Sequence, residues 1–152
     1  MKKVSAIPAG FHTVTPHLVV DGADEFLEFV KKAFNGQVVG DVHRTPDNQV
    51  MHATVKIGDS MVMVADTMDD MKAERAMLYL YLENADNIYK QAIAAKAESI
   101  QEPRDEFYGD RTSAVKDRWG IKWWIATHIE DISSDELMRR AKAKAEEQAV
   151  AR

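Results

Sequence analysis

The feature that most constrains this sequence is a constant spacing of 62 residues between corresponding landmarks in its two halves. Ala-Asp pairs open helical patterns at Ala23 and Ala85, and turn glycines stand at Gly58 and Gly120. Few residues are identical across this spacing, so the evidence is the repeated order of elements. We therefore predict two copies of one supersecondary unit within the chain.

Each copy follows the order strand, helix and three strands. Apolar residues recur at helical spacing from Phe26 to Phe34, whereas β-branched runs between Gly, Pro and Asp clusters indicate strands. The predicted strands are 14–20, 37–44, 50–57 and 60–66 in the first copy and 77–82, 110–116 and 121–127 in the second, where a weak strand also begins at 99–101. Asp21 and Asn84 are the predicted N-caps of the two helices.

The pattern predicts a single α+β domain over residues 1–152. Its parts are module one at about 12–67, module two at about 75–129 and a C-terminal helix at about 133–150. Ser133 and Glu136 have the spacing of a capping box at the start of that helix. Its apolar stripe is thin, so it either lies loosely on the domain or docks on a partner subunit.

Composition excludes several classes of protein. With 20 Lys and Arg against 25 Asp and Glu, the net charge is −5, which argues against nucleic-acid binding. The chain has no cysteine, so disulfides, thiol nucleophiles and cysteine-bound metal sites are excluded. Its apolar runs are too short for a membrane span, and the N-terminus has no signal-peptide pattern. We expect a cytoplasmic protein with neither a nucleic-acid nor a membrane partner.

Alternation along the strands divides each predicted sheet into two faces. The aliphatic set, which should pack under the helices, is Leu18, Val20, Met51, Ala53, Val55, Ile57, Met61, Met63, Leu80, Leu82, Val115, Trp123 and Ile125. The opposite, mixed set is Thr15, His17, Val19, His52, Thr54, Val62, Val64, Met77, Tyr79, Tyr81, Ala114 and Trp124. Its aromatics, hydroxyls and imidazoles favour a concave small-molecule site. The alternative is a sheet-to-sheet interface with satisfied polar groups.

Five residues of the mixed set are the main candidates for function. His17 and His52 can act as general bases, as ligand hydrogen-bond donors or as half of a non-standard metal site. The alternative is a pair of neutral histidines bonded to the backbone. Tyr79, Tyr81 and Trp124 can stack on a planar ligand, or pack as ordinary aromatics between the two halves.

Arg111 is a further candidate, because it follows a loop that enters a strand. Its guanidinium can clamp an anionic ligand at the rim of the mixed face, or it can brace the loop through Asp110. Trp123 has the opposite parity to Trp124, so we expect it to be structural. His128 follows the last strand and is expected to cap a loop.

At this point the chain resembles the vicinal-oxygen-chelate superfamily of glyoxalases, bleomycin-resistance proteins and extradiol dioxygenases, and within it the PhnB-like branch. The resemblance lies in HTVTPHLVVDGADEFLEFVKKAFNG, VMHATVKIGDSMVMVAD, FYGDR and DRWGIKWWIATHIEDISSDELMRR. In the last stretch Arg118 stands where the family usually has proline. The resemblance implies tandem βαβββ modules that form a cupped eight-stranded sheet with helices on its outer face.

The resemblance also implies four metal-ligand positions, which carry Thr15, Val62, Met77 and Trp124 here. None of these side chains is a good ligand for a divalent cation, so we predict no cofactor and no metal in the standard site. Thr15 remains a candidate for ligand contact. In this family the cup often closes between chains, and Pro16 indicates an edge strand that needs protection, so we expect a homodimer.

Three functions are compatible with these features. The first is a metal-free, bleomycin-resistance-like protein that binds a small molecule in the cup. The second is an enzyme of lyase or dioxygenase type that uses His17 and His52 for acid–base work or a non-standard metal site. The third is a structural dimeric module with a vestigial cup.

Overall fold

The structure, a computed structural model, describes residues 4–152. Its elements are β1 (His17–Val20), α1 (Ala23–Phe34), β2 (Gln37–Arg44), β3 (Val50–Ile57), β4 (Ser60–Asp66), β5 (Met77–Tyr81), α2 (Ala85–Ala94), β6 (Glu98–Asp105), β7 (Asp110–Lys116), β8 (Lys122–His128) and α3 (Ser134–Val150). They form two four-stranded sheets with the strand orders β1-β4-β3-β2 and β5-β8-β7-β6. In each sheet the first and last strands of the unit pair in parallel, and the other pairs are antiparallel.

The predicted α+β fold of two βαβββ units is confirmed. The eight strands are divided between two cupped sheets of four rather than joined in one hydrogen-bonded sheet. Helix α1 packs on the first sheet, α2 packs on the second, and the two helices contact each other. One hydrophobic core therefore lies between the helices and the face of each sheet that they cover. We call the face of each sheet that is turned away from the helices its outer face, which is the cup side of the prediction.

Trp123 is the largest fully buried side chain of this core. Its ring lies 4.5 Å from that of Phe34, and its Nε1 donates to Asp117 Oδ2 at 2.8 Å. Phe26 and Phe29 contact Trp119 at ring-centroid distances of 5.1 and 5.8 Å. The prediction that Trp123 is structural is confirmed, and these aromatics join the two units.

The start of α1 differs from the prediction, because Gly22 rather than Asp21 is the N-cap. Gly22 adopts a left-handed conformation with φ of 91°, which its missing Cβ permits. The helix N-terminus is capped by a distant carboxylate: Asp66 Oδ1 accepts from the backbone N–H groups of Gly22 and Ala23 at 3.1 and 2.8 Å. Asp66 Oδ2 also accepts from Val50 N at 2.7 Å, so one side chain joins α1, β3 and β4.

The predicted faces of β4 are reversed. Val64 lies opposite Leu18 and Ala53 on the core side, whereas Met63 lies opposite His17 and Thr54 on the other side. The cause is the two-residue turn at Gly58-Asp59, which places Ile57 directly across from Ser60. Residues three apart therefore share a face across this turn, and the alternation changes phase.

Met51 is also misassigned, since it is 50% exposed while Val50 is fully buried. The β2–β3 register shifts next to this position, between His43 and Arg44. Such an irregularity lets consecutive residues change faces. On the second sheet the predicted faces agree with the pairing for both residue sets, and only Arg111 lies on the side opposite to the one expected.

Helix α3 lies on the surface and has no buried residue. Its N-cap is Ser133, as predicted, with Glu136 N donating to Ser133 Oγ at 3.3 Å. Arg140 ties the helix to the loop after β8 through Glu130 and donates to the carbonyl of Phe107. None of the helices within residues 4–152 is both long and apolar enough to cross a bilayer.

Candidate functional site

The outer face of the second sheet carries an aromatic cluster that we call the tyrosine face. It consists of Tyr79, Tyr81 and Trp124, backed by the buried Ala114 and Thr112. The rings of Tyr79 and Trp124 are nearly parallel, at 10° and 6.5 Å, and Tyr79 lies 5.1 Å from Tyr81. Tyr79 is 42% exposed and Tyr81 is 63% exposed, so this face is open.

A buried carboxylate organises the tyrosine face. Asp110 Oδ2 accepts hydrogen bonds from the hydroxyls of Tyr79 and Tyr81 at 2.9 and 3.0 Å. Its other oxygen lies 2.9 Å from His128 Nδ1, and His128 Nε2 lies 2.9 Å from Asp131. Both tyrosines are therefore fixed by one acid, which is in turn held by an imidazole between two carboxylates.

These contacts set the charges of the cluster. Burial alone would raise the pKa of Asp110, but the hydrogen bonds from His128, Tyr79 and Tyr81 outweigh it and lower the pKa of this carboxyl. The hydrogen bond to Asp110, reinforced by Asp131, raises the pKa of His128. Burial and the bond to Asp110 raise the pKa of Tyr79 far above its ordinary value, and the same bond raises the pKa of Tyr81. The phenols are thus neutral near pH 7.

The hydroxyl protons of Tyr79 and Tyr81 are both used in hydrogen bonds within the protein. A tyrosine hydroxyl has one proton, and both protons are donated to Asp110. The hydroxyls of Tyr79 and Tyr81 therefore present only acceptor lone pairs to a ligand. A ligand that bonds these hydroxyls must therefore supply the donor.

The outer face of the first sheet is different, and we call it the histidine face. The rings of His17 and His52 meet edge to face at 6.3 Å, and His43 lies 6.4 Å beyond His52. His52 Nε2 is 3.5 Å from Thr54 Oγ1. In residues 4–152 no salt bridge links these three imidazoles to a carboxylate.

The residues at the implied metal positions do not fit a metal. Val62 is a buried core residue, on the side opposite to the one predicted. The Thr15 hydroxyl donates to the carbonyl of His12, and Trp124 Nε1 donates to Met77 Sδ. Across the described part of the chain, no group of three His, Cys, Asp or Glu side chains has the geometry of a metal site.

The structure corrects the expected position of Arg111. It shares a face with Thr127, whose hydroxyl accepts from the first backbone N–H of α2, so Arg111 lies on the helix side. Its guanidinium binds both oxygens of Asp86 at 2.9 and 3.1 Å and Asp105 at 2.9 Å. Arg111 braces α2 against β6 rather than facing the tyrosines, and these carboxylates raise its pKa.

Asp110 and His128 are the site residues that the sequence analysis missed. Each lies on the tyrosine face by strand parity, because Asp110 alternates with Thr112 and His128 alternates with Ala126. Extending the alternation to the ends of β7 and β8 would have included both residues. Their mutual contact and their bonds to the tyrosines had no local signal.

The tyrosine face and the histidine face lie apart in this structure. Hydrogen bonds between the two units run instead through the helix side, from Gln91 to Ala33 and Asn35 and from Trp119 to Asp21. Within residues 4–152, no hydrogen bond or ring contact joins one outer face to the other. The residues predicted for one pocket are thus divided between two open surfaces.

The fold defines a tandem βαβββ protein with two cupped sheets. A sequence model of the Glyoxalase/Bleomycin resistance protein/Dioxygenase superfamily matches residues 10–125, and the chain belongs to this superfamily. The predicted family is therefore confirmed. The chain is also similar to uncharacterized proteins of Mycobacterium bovis and Mycobacterium tuberculosis, each 28% identical over 135 residues. Both matches cover 82% of this chain. They cover 88% of the M. bovis protein and 79% of the M. tuberculosis protein.

Solved structures share the fold at low identity. TioX from Micromonospora sp. ML1 has a TM-score of 0.61 and 20% identity over 78% of this chain and 99% of its own. A glyoxalase/bleomycin resistance protein/dioxygenase from Nocardioides has a TM-score of 0.58 and 18% identity over 88% and 91%. A PhnB protein from Bacillus cereus, named as a putative 3-demethylubiquinone-9 3-methyltransferase, has a TM-score of 0.58 and 16% identity over 76% and 99%.

Proposed function

We propose that this protein binds a small planar molecule that carries hydrogen-bond donors, on the tyrosine face and without a metal. The observation that carries the proposal is that one oxygen of Asp110 accepts a hydrogen bond from each tyrosine hydroxyl. The two hydroxyls beside the indole of Trp124 are therefore left as acceptors for a ligand. Aromatic stacking would supply the affinity, and the oriented hydroxyls would select ligands with N–H or O–H groups.

Paired ligands test the donor requirement. Ligand-observed NMR would compare planar aromatic amines with their N,N-dimethylated analogues, which keep the ring but lose the donor. The amines should bind more tightly, and Trp124→Ala should weaken their binding by about 1–3 kcal/mol, the range of a stacking hot spot. Tyr81→Phe should reduce the preference for donors. Tyr89→Phe is the matched control, because its hydroxyl bonds Ser99 away from this face. Equal binding of both analogue classes would refute the proposal.

We further propose a homodimer in which the histidine face of one chain covers the tyrosine face of the other. Two observations support it: within residues 4–152 no hydrogen bond or ring contact joins the two faces, and both leave ring side chains such as Tyr81 and His17 exposed. In the dimer His17 and His52 would contact the ligand held by the partner's aromatics. Light scattering at micromolar concentration should give twice the 17.1 kDa chain mass.

Mixed dimers test the shared site directly. A chain with His17→Ala and His52→Ala, mixed with a Trp124→Ala chain, should form heterodimers with one intact site of two. Each variant alone should bind the ligand weakly, and the mixture should regain tight binding at the intact site. No recovery in the mixture would place each site within one chain.

A second candidate is an enzyme of the superfamily's lyase or dioxygenase type, in which His17 and His52 serve in acid–base work or hold a non-standard metal. The open row of His17, His52 and His43 favours it, since imidazole nitrogens can both accept and donate hydrogen bonds and ligate metals. If the protein converts a bound ligand to product, and His52→Gln abolishes this turnover but retains ligand binding, the protein is an enzyme. Binding without product in either protein would leave the binding function alone.

A further inference from the structure

A cavity lies at the end of the second sheet, where β7 turns into β8, at the border of the tyrosine face. It has a volume of about 880 Å³, and its lining includes five cations. These are Arg75, Lys96, Lys116, Arg118 and Lys122, and we call this surface the basic cleft. Such a concentration of positive charge is unexpected in a chain with a net charge of −5.

The cations of the basic cleft are not paired in salt bridges. In the described residues none of the five forms a salt bridge, whereas Arg44, Arg111 and Arg140 all bind carboxylates. Lys116 and Lys122 lie directly opposite each other on adjacent antiparallel strands. Like charges at such a position destabilise a sheet, so an anion between them would relieve a repulsion built into the fold.

The two carboxylates that line the cleft compensate little of this charge. Asp117 is buried, and its oxygens accept from the backbone N–H groups of Trp119 and Ile121 and from Trp123 Nε1. Burial also raises the pKa of Asp117. Glu98, across from Lys116, is the only other carboxylate in the lining.

The wall of the cleft is rigid. Trp119 packs against Phe26 and donates from Nε1 to the carbonyl of Asp21 at 2.8 Å. The Arg118 guanidinium lies 4.5 Å from the centre of the Trp119 ring, in a cation–π contact that helps to hold it. Arg118 is thus oriented at the border of the cleft, and guanidinium binds phosphate oxygens in a two-pronged manner.

We propose that the basic cleft binds a phosphate-type oxyanion, either a free polyphosphate or the phosphate group of a small organic molecule. Lys116 and Lys122 would neutralise the anion between them, and Arg118 would bind it from the Trp119 side. By strand alternation Lys116 and Lys122 lie on the side of the sheet that carries Trp124, so the site borders the tyrosine face, but its lining includes none of Tyr79, Tyr81 and Trp124. It therefore stands or falls independently of the aromatic ligand.

Calorimetric titrations at constant ionic strength test the site, with inorganic phosphate, pyrophosphate, phenyl phosphate and citrate as probes. Pyrophosphate should bind saturably and more tightly than phosphate. Phenyl phosphate should exceed phosphate if the natural ligand is an organic phosphate, and pyrophosphate should exceed phenyl phosphate if it is a free polyphosphate. Saturation by none of the phosphates, or tightest binding of citrate, would overturn the proposal.

Charge-matched variants separate a site from general charge attraction. The Lys116→Gln, Lys122→Gln double variant should lose pyrophosphate affinity by about tenfold or more, since two charge-assisted contacts are removed. The Lys90→Gln, Lys142→Gln double variant removes the same charge from exposed helical positions and should retain affinity. Glu98→Gln should tighten binding. Equal losses in the two double variants would reduce the effect to general charge attraction and refute the site.

The melting temperature without ligand distinguishes an anion-binding role of Lys116 from a structural role. Because Lys116 and Lys122 repel each other, Lys116→Gln should melt at the same temperature as the parent protein or higher when no anion is present. Pyrophosphate should raise the melting temperature of the parent protein but not that of the double variant. A large loss of stability on replacing Lys116 would contradict the proposal.

Discussion

The two βαβββ units share one topology but present different chemistry on their outer faces. In the second unit Asp110 fixes two tyrosines and is itself fixed by His128, so every polar group of the cluster has a partner. In the first unit the imidazoles of His17 and His52 stand next to each other, and no carboxylate among the described residues pairs with either. The backbone arrangement is thus compatible with both an ordered network and an open row of bases, and side chains alone decide which forms.

The two units also differ in how the N-terminus of the helix is capped. In the first unit, Asp66 from β4 caps α1 across the sheet. In the second, Asn84 caps α2 locally through Asn87 N, while Thr127 from β8 accepts from Ala85 N. Equivalent strand ends therefore reach equivalent helix starts, but with different side chains.

The largest expected effect on stability comes from comparing Trp123 and Trp124, which lie on opposite faces of the second sheet. Trp123→Ala should lower the free energy of unfolding by about 3–5 kcal/mol, because it empties the core between the two units. Trp124→Ala, one residue along the same strand, should cost far less since its ring is partly solvent-exposed. Urea denaturation of both variants measures the difference. If the larger loss occurs at Trp124, the faces of β8 are reversed.

The next effect tests whether the tyrosine face is held by one acid. Asp110→Asn removes the charge from three hydrogen bonds and should destabilise the fold by about 1.5–3 kcal/mol. It should also bring the pKa values of Tyr79 and Tyr81 back toward 10, because the carboxylate no longer opposes phenolate formation. Spectrophotometric titration of tyrosine detects this change. Thr54→Val, on the histidine face, is the control and should leave the titration unchanged.

A pH experiment tests the charge pairing of His128 with Asp110. The folded pKa of His128 is raised, so its stabilisation is complete below the unfolded value of 6.5 and is lost as pH rises through the folded pKa. The folded pKa of Asp110 is lowered, so its stabilisation is complete above the unfolded value of 3.8 and is lost as pH falls through the folded pKa. Both contributions are present near pH 5.

The measurement is the stability difference between the parent protein and His128→Gln at several pH values. This difference should be largest near pH 5 and should shrink at alkaline pH. Gln91→Ala, at the junction of the two units, controls for general effects of pH on unfolding. A difference that stays constant from pH 5 to pH 9 would show that His128 is not charged by Asp110.

The smallest expected effect concerns Arg111, which faces the helix side. Replacing it with methionine removes contacts to two partly exposed carboxylates, which are each worth about 0–1 kcal/mol. Stability should fall slightly, and ligand affinity on the tyrosine face should not change. Ligand titration of Arg111→Met checks this, and a substantial loss of affinity would return Arg111 to the site.

Local patterns were sufficient for the repeated elements and for most of the second sheet. Helical spacing from Phe26 to Phe34 and strict alternation along β8 correctly assigned Trp123 to the core and Trp124 to the outer face. The same alternation failed on β4, because a two-residue turn changes its phase and single-strand counting does not include the turn. The candidate site was therefore predicted in part: its aromatics were found, but the acid that orients them was not.

The sequence by itself determined the duplicated order of strands and helices, because periodicity and turn residues act within a few positions of one another. Only the tertiary structure decided that Asp66 caps α1, that Arg111 belongs to α2, and that Asp110 gathers Tyr79, Tyr81 and His128. These contacts join residues 18 to 44 positions apart, where no local preference specifies the partner. Hydrogen bonds of this kind form only after the sheets and the core have brought the buried polar groups together.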